Sequence, residues 1–212
     1  MACTNLTVVE DSLFSNCSQL TSVKLPASVT VINKEAFAFC TALSQADLST
    51  CLSLTEIGEK AFYGDTALSD LKLPSGMTRI GDSAFNSCTS LDSLDLSVCT
   101  SLSEIGEFAF NRIPIVALSF PASLEVINRG AFNECENLTS VTWPTGSRLT
   151  MLSGFSGCTS LPASVCNEGL SLPNVTAIGD EAFVNNCFEG MVIPANIRDI
   201  GDNAFSGGSL SS

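Results

Sequence analysis

At 212 residues the chain is long enough to bury a substantial core, and 45% hydrophobic against 15% charged residues excludes an intrinsically disordered chain. Its 22 acidic and 9 basic residues leave a net charge of −13, which repels nucleic acid and anionic lipid and argues against both as partners. No stretch approaches the roughly 20 apolar residues that cross a bilayer, and the start of the chain lacks the basic and then apolar pattern of an export signal. No direct membrane insertion is expected, and the compartment is left open.

An internal repeat governs everything else. Phe14, Phe37, Phe62, Phe85, Phe110, Phe132, Phe155, Phe183 and Phe205 follow one another at spacings of 23, 25, 23, 25, 22, 23, 28 and 22. They are the expected structural core, one ring per turn. Five residues before each Phe stands an apolar residue, from Val9 and Ile32 to Ile178 and Ile200, with Thr150 as the polar exception. Four before it stands Gly58, Gly81, Gly106, Gly179 or Gly201, replaced by Asn33 and Asn128. Gly and Asn tolerate positive φ, so a left-handed bend is expected at this column.

Leu20, Leu43, Leu68, Leu91, Leu138 and Leu161 lie six residues after their Phe. An alternation follows, as in Val23 and Leu25, Leu71 and Leu73, Leu94 and Leu96, or Val141 and Trp143. Period two predicts a strand with one buried face, ended by Pro26, Pro74, Pro121, Pro144 or Pro194. The longer turns replace Leu-Pro by Asp-Leu-Ser-x-Cys, at Asp47–Cys51 and Asp95–Cys99, giving an early super-repeat of 48 residues. After Phe132 the pattern loosens, with a Ser- and Gly-containing turn at Ser153–Thr159 and an insertion that stretches one spacing to 28. The second half is expected to be the less regular one. Residues 1–205 read as one repeat domain and 206–212 as a flexible Gly/Ser tail. The chain starts and stops partway through a repeat, so a fragment of a longer repeat protein is one reading.

The unit A-F-x-x-C-x-x-L-x-x-[VL]-x-L-P followed by L-T-x-I-G-[DE] resembles the BspA-like leucine-rich repeat family over nearly the whole chain. The resemblance implies a right-handed, β-rich leucine-rich-repeat solenoid of about nine turns, counting partial end repeats. Its parallel sheet would come from the L-x-x-[VL]-x-L segments, with a second short strand at L-T-x-I and short helical turns. It also implies surface adhesion or protein binding, supplies no catalytic residues and leans toward the cell surface.

Residues able to carry chemistry are scarce. The chain has no histidine, and so lacks the commonest general base and activator of Ser or Cys. An acidic column three residues before Phe (Asp11, Glu59, Asp82, Glu107, Asp180 and Asp202, broken by Lys34 and Arg129) reads as solvated turn acids satisfying backbone amides. A calcium loop would need several oxygen ligands per turn. Cys17, Cys40, Cys88, Cys135 and Cys158 lie three after Phe and Cys187 four after, without the close pairs that zinc requires. Cys3, Cys51 and Cys99 fall two turns apart, on the order of 10 Å, too far to bridge. Neighbouring rungs such as Cys17 and Cys40 could come within reach, but inward cysteines are expected to form a ladder of free, buried thiols, which leans toward a reducing compartment. The sequons at Asn5, Asn16, Asn137 and Asn174 matter only in a secreted chain, and Asn16 adjoins the inward Cys17. Phosphate-cradling and dinucleotide motifs are absent, and Trp143 occupies a Leu column, hence the core. No cofactor, metal or catalytic residue is expected.

The expected function is a non-enzymatic protein-interaction or adhesion module; the alternative is a structural subunit of a larger assembly. Its partner is a protein of unknown identity. Ten residues after Phe come Lys24, Asp47, Lys72 and Asp95, on the outward side of the strand, where stacking would set them about 4.8 Å apart with alternating sign. With Ser22, Asp70 and Ser93 beside them they form either a self-neutralising solvated ladder or a recognition face. Tyr63 and Phe39, one and two residues after their Phe, are further candidate contacts.

Overall fold

The computed structural model describes residues 5–186 and 191–208. Cys3, Cys187 and the last four residues of the expected tail lie outside them. Two kinds of short strand alternate along the chain: β1 (Val8–Val9), β2 (Ser22–Lys24), β3 (Val31–Ile32), β4 (Gln45–Asp47), β5 (Glu56–Ile57), β6 (Asp70–Lys72), β7 (Arg79–Ile80), β8 (Leu94–Asp95), β9 (Glu104–Ile105), β10 (Ala117–Ser119), β11 (Val126–Ile127), β12 (Ser140–Thr142) and β13 (Met151–Leu152). Helix α1 (Ala163–Leu170), β14 (Ala177–Ile178) and β15 (Asp199–Ile200) complete the chain. Among the described residues all pairing is parallel, and they form a β-solenoid with one short helix.

The T-x-I segments build the continuous wall, a nine-stranded sheet ordered β1-β3-β5-β7-β9-β11-β13-β14-β15. The L-x-x-[VL]-x-L segments, expected to carry the main sheet, form two separate three-stranded sheets, β2-β4-β6 and β8-β10-β12. In the seventh turn α1 occupies the place of such a strand. It absorbs the insertion, packs Gly169 on Trp143, and accepts the Trp143 indole N–H at Val165 O, 3.0 Å away.

Inside, the nine Phe rings stack face to face, with centroids 5.1 to 6.2 Å apart and planes within 14°. From Phe37 to Phe183 they are fully buried, while Phe14 and Phe205, in the first and last turns, are half-buried. Burying a Phe contributes about 2 to 3 kcal/mol, and the 23-residue period exists to repeat that burial once per rung. The widest gap, 6.2 Å between Phe155 and Phe183, spans the turn that contains α1.

Three expectations need correction. The Gly column is not left-handed; Gly58, Gly81, Gly106, Gly179 and Gly201 all lack positive φ. It is set by close approach of successive turns, since a Cβ on Gly81 would lie 2.7 Å from the Gly58 carbonyl carbon and one on Gly106 2.6 Å from that of Gly81. Positive φ falls instead two residues before and two after the Phe, as at Ser83 (φ 53) and Ser87 (φ 63). Alternating the sign of φ aims every second N–H along the stack: Ser83, Phe85 and Ser87 donate to Glu107, Ala109 and Asn111 O at 2.7, 2.8 and 2.9 Å. Each non-Gly residue there costs about 1–2 kcal/mol, which the inter-turn hydrogen bonds offset.

Second, Thr150 does not occupy the apolar column. It is exposed, and Leu152 pairs with Ile178 and fills the buried place, so the seventh turn runs two residues shorter from strand to Phe. Third, Cys17 is exposed, because the first turn has no described neighbour beneath it.

Candidate functional site

Strands β2, β4 and β6 bring five of the predicted face residues together. Their register sets Lys24 opposite Asp47 and Asp47 opposite Lys72, with Ser22, Gln45 and Asp70 in the adjacent row. With Val23 these residues line an open groove of about 310 Å³. The ladder reading fails in its details. Asp47 turns to its own chain, accepting from Ser49 N–H at 3.2 Å and Ser49 Oγ at 2.6 Å. Those bonds, with Lys72 and Lys24 nearby, hold its carboxyl below the usual range. Lys72 pairs along its own strand with Asp70, 3.7 Å away. Lys24 has no ion pair among the described residues.

Asp95 is not the fourth rung. It lies on β8, in the other short sheet, and caps its own turn by accepting from Ser97 N–H at 2.9 Å and Ser97 Oγ at 2.6 Å. Ser93 is exposed just ahead of β8. Lys72 and Asp95 both line a hollow of about 270 Å³ at the break between sheets, with Ser49, Leu71, Leu73 and Val98.

Phe39 and Tyr63 form an edge-to-face pair with centroids 5.3 Å apart, lining a separate hollow of about 270 Å³ with Glu35, Ala38 and Lys60. Phe39 is 47% exposed and held at φ 60, an uncommon conformation for a bulky side chain. Its ring rests on Gly64, where a Cβ would come within 2.9 Å.

Two acids of the column, Asp82 and Asp180, cap backbone amides of the next turn rather than of their own. Asp82 Oδ1 accepts from Glu107 N–H at 2.9 Å and Asp180 Oδ1 from Asp202 N–H at 2.8 Å, while Glu59 pairs with Lys34 at 3.0 Å. Among the described residues no group of three His, Cys, Asp or Glu is placed to hold a metal ion. The eight described cysteines are free, and burial pushes the Cys99, Cys135 and Cys166 thiols up to about 12.

Sequence reasoning missed two features. The shortened seventh turn leaves a notch of about 370 Å³ floored by Met151 and Ser153 and walled by Asn128, Arg129, Gly179 and Asp180; the misplaced Thr150 was its signal. Asp65, fully buried, occupies the position three after Phe62 that cysteine fills in other turns, and was legible as a gap in that column.

The family described as "BspA type Leucine rich repeat region (6 copies)" matches residues 3–98, 55–171 and 94–211, and the chain belongs to it. A crystal structure of a leucine-rich repeat protein from Bacteroides ovatus is similar over 92% of this chain and 51% of its own, at 25% identity and a TM-score of 0.72. This chain thus spans about half that protein's length. The T. pallidum leucine-rich repeat protein TpLRR is similar at 29% identity and a TM-score of 0.69, covering 79% of this chain and 77% of its own. The pneumococcal vaccine antigen PcpA shares the fold at 18% identity and a TM-score of 0.54, over 95% of this chain and 65% of its own. Among curated proteins nothing matches the sequence.

Proposed function

We propose that the protein recognises another protein across its solenoid surface, without catalysing a reaction, and that the β2-β4-β6 face is where the partner lies. The observation that carries this reading is the grouping of Ser22, Lys24, Asp47, Asp70 and Lys72 in one open groove over three successive rungs. Membership of a repeat family whose turns present a long regular surface supports it. The short side chain of Ser22 and the exposed Lys24 leave the strands approachable, and rim charges of this kind set specificity and encounter rate.

The test is binding of a partner co-purified with the native protein to two double variants. Lys24→Glu with Lys72→Glu reverses the groove, whereas Lys34→Glu with Arg129→Glu reverses two charges on the turns. The reading expects the first pair to abolish most binding and the second to spare it. Loss confined to the second pair would place recognition on the turns and overturn the assignment.

A further inference from the structure

In five of the seven turns whose Phe is fully buried, the side chain three residues after it donates to the carbonyl of the Phe one turn below. Cys40 Sγ donates to Phe14 O at 3.1 Å, Cys88 to Phe62 O at 3.2 Å, Cys135 to Phe110 O at 3.3 Å and Cys158 to Phe132 O at 3.2 Å. Asn186, fully buried in the eighth turn, does the same through its amide, with Nδ2 2.9 Å from Phe155 O. Five side chains of two chemistries thus obey one rule. Ile113 is the apolar exception.

In the third turn the position is held by Asp65, 0% exposed. Its Oδ1 accepts the Cys40 N–H at 2.8 Å, while Oδ2 is buried without a hydrogen-bond partner. By the rule of the column, Oδ2 belongs against Phe37 O, and an oxygen can bond a carbonyl oxygen only if it carries a proton. A carboxylate would set two acceptors against each other. The titratable groups facing it are the thiols of Cys40 below and Cys88 above, both kept neutral by burial, and no cation among the described residues offsets a charge there. Unpaired buried charge is the costliest occupant such a site can hold.

We propose that Asp65 is a proton latch: carried as the neutral acid, it closes the donor ladder onto Phe37 O, and ionisation opens the ladder at that rung. The turn it secures also carries Tyr63 and the Gly64 on which the Phe39 ring rests. Ionisation therefore loosens the exposed aromatic pair as well as the core. Burial raises the carboxyl to about 8, which puts the switch close to neutral pH. In an unfolded chain the same group titrates near 3.9. The sign follows: the protonated latch favours the fold fully below about pH 4, its contribution declines as pH rises, and it is gone above about 8.

The test is a carbon-13 NMR titration of the Asp65 side-chain carboxyl in the whole chain, paired with melting curves of wild type, Asp65→Asn and Asp65→Cys. Both substitutions supply a donor the column already uses and stay uncharged across the window. The expected midpoint is about 8, and the melting temperatures of the variants should pull away from wild type as pH rises and level off beyond that midpoint. A carboxyl midpoint near 4, the ordinary carboxylate range, would overturn the proposal whether or not either variant folds. So would wild-type and variant melting profiles that run parallel across the window.

Discussion

Arg129 on the sixth turn reaches past the whole of the seventh to bond Glu181 on the eighth, with Nη2 2.6 Å and Nε 3.1 Å from the same carboxylate oxygen. In a solenoid each turn normally contacts only its neighbours. The pair can span two rungs because the seventh turn is short between Leu152 and Phe155, leaving a notch for the side chain to cross. Both partners are substantially exposed, at 47% and 39%, so the bond tethers more than it stabilises. Replacing Arg129 with Ala should lower the melting temperature only slightly, by an amount that vanishes in high salt. It should also speed amide exchange within residues 150–157. A large loss of stability independent of salt would show that the bridge carries part of the core.

Removing a central ring is the opposite case. Phe85→Ala should cost about 3–5 kcal/mol through lost burial and a cavity, because Phe85 is sandwiched between Phe62 and Phe110 at 5.1 and 5.3 Å. Phe205→Ala should cost clearly less, since that ring is only half-buried. Chemical denaturation of the two variants measures both. Equal costs would contradict a stack whose stability comes from rings covering each other.

Backbone conformation around the Phe can be tested at Ser83, held at φ 53. Ser83→Gly should raise stability by up to about 1 kcal/mol, and Ser83→Val should lower it, since β-branched residues tolerate the left-handed region worst. If the Val variant melts with wild type, the alternating-φ account of the turn is wrong.

Thiol chemistry distinguishes the first turn from the rest. Cys17 is exposed, whereas Cys40, Cys51, Cys88, Cys99, Cys135, Cys158 and Cys166 are buried. Under native conditions Cys17 should react with a maleimide long before those seven; after denaturation without reductant most of the ten cysteines of the chain should count as free. A count near zero would mean disulfides between rungs.

The Phe column, the strand segments and the irregular second half were legible because a ring that must be buried once per turn leaves an unmistakable period in the sequence. Other features were not, for physical reasons. A Gly column serves equally for positive φ or for close backbone approach, and only the turn-to-turn distances at Gly81 and Gly106 decide between them. The register sets Lys24, Asp47 and Lys72 in one row, but a sequence period cannot show that Asp95 starts a separate sheet, nor that Asp47 and Asp95 spend their carboxylates on Ser49 and Ser97. Thr150 misled because a two-residue contraction moves the buried place to Leu152 without changing the Phe that marks the turn. Asp65 stood in plain view as the residue that breaks the cysteine column, yet its meaning depends on the Phe carbonyls, which leave no trace in a sequence.

The central claim, that partner binding occupies the short-strand face, is tested most directly by hydrogen–deuterium exchange of the intact chain with and without its co-purified partner. The account predicts slowed exchange concentrated in Ser22–Lys24, Gln45–Asp47 and Asp70–Lys72, with the turns around Lys34 and Arg129 unchanged. Protection confined to those turns, or to the notch around Met151 and Ser153, with the three strands unaffected, would contradict it.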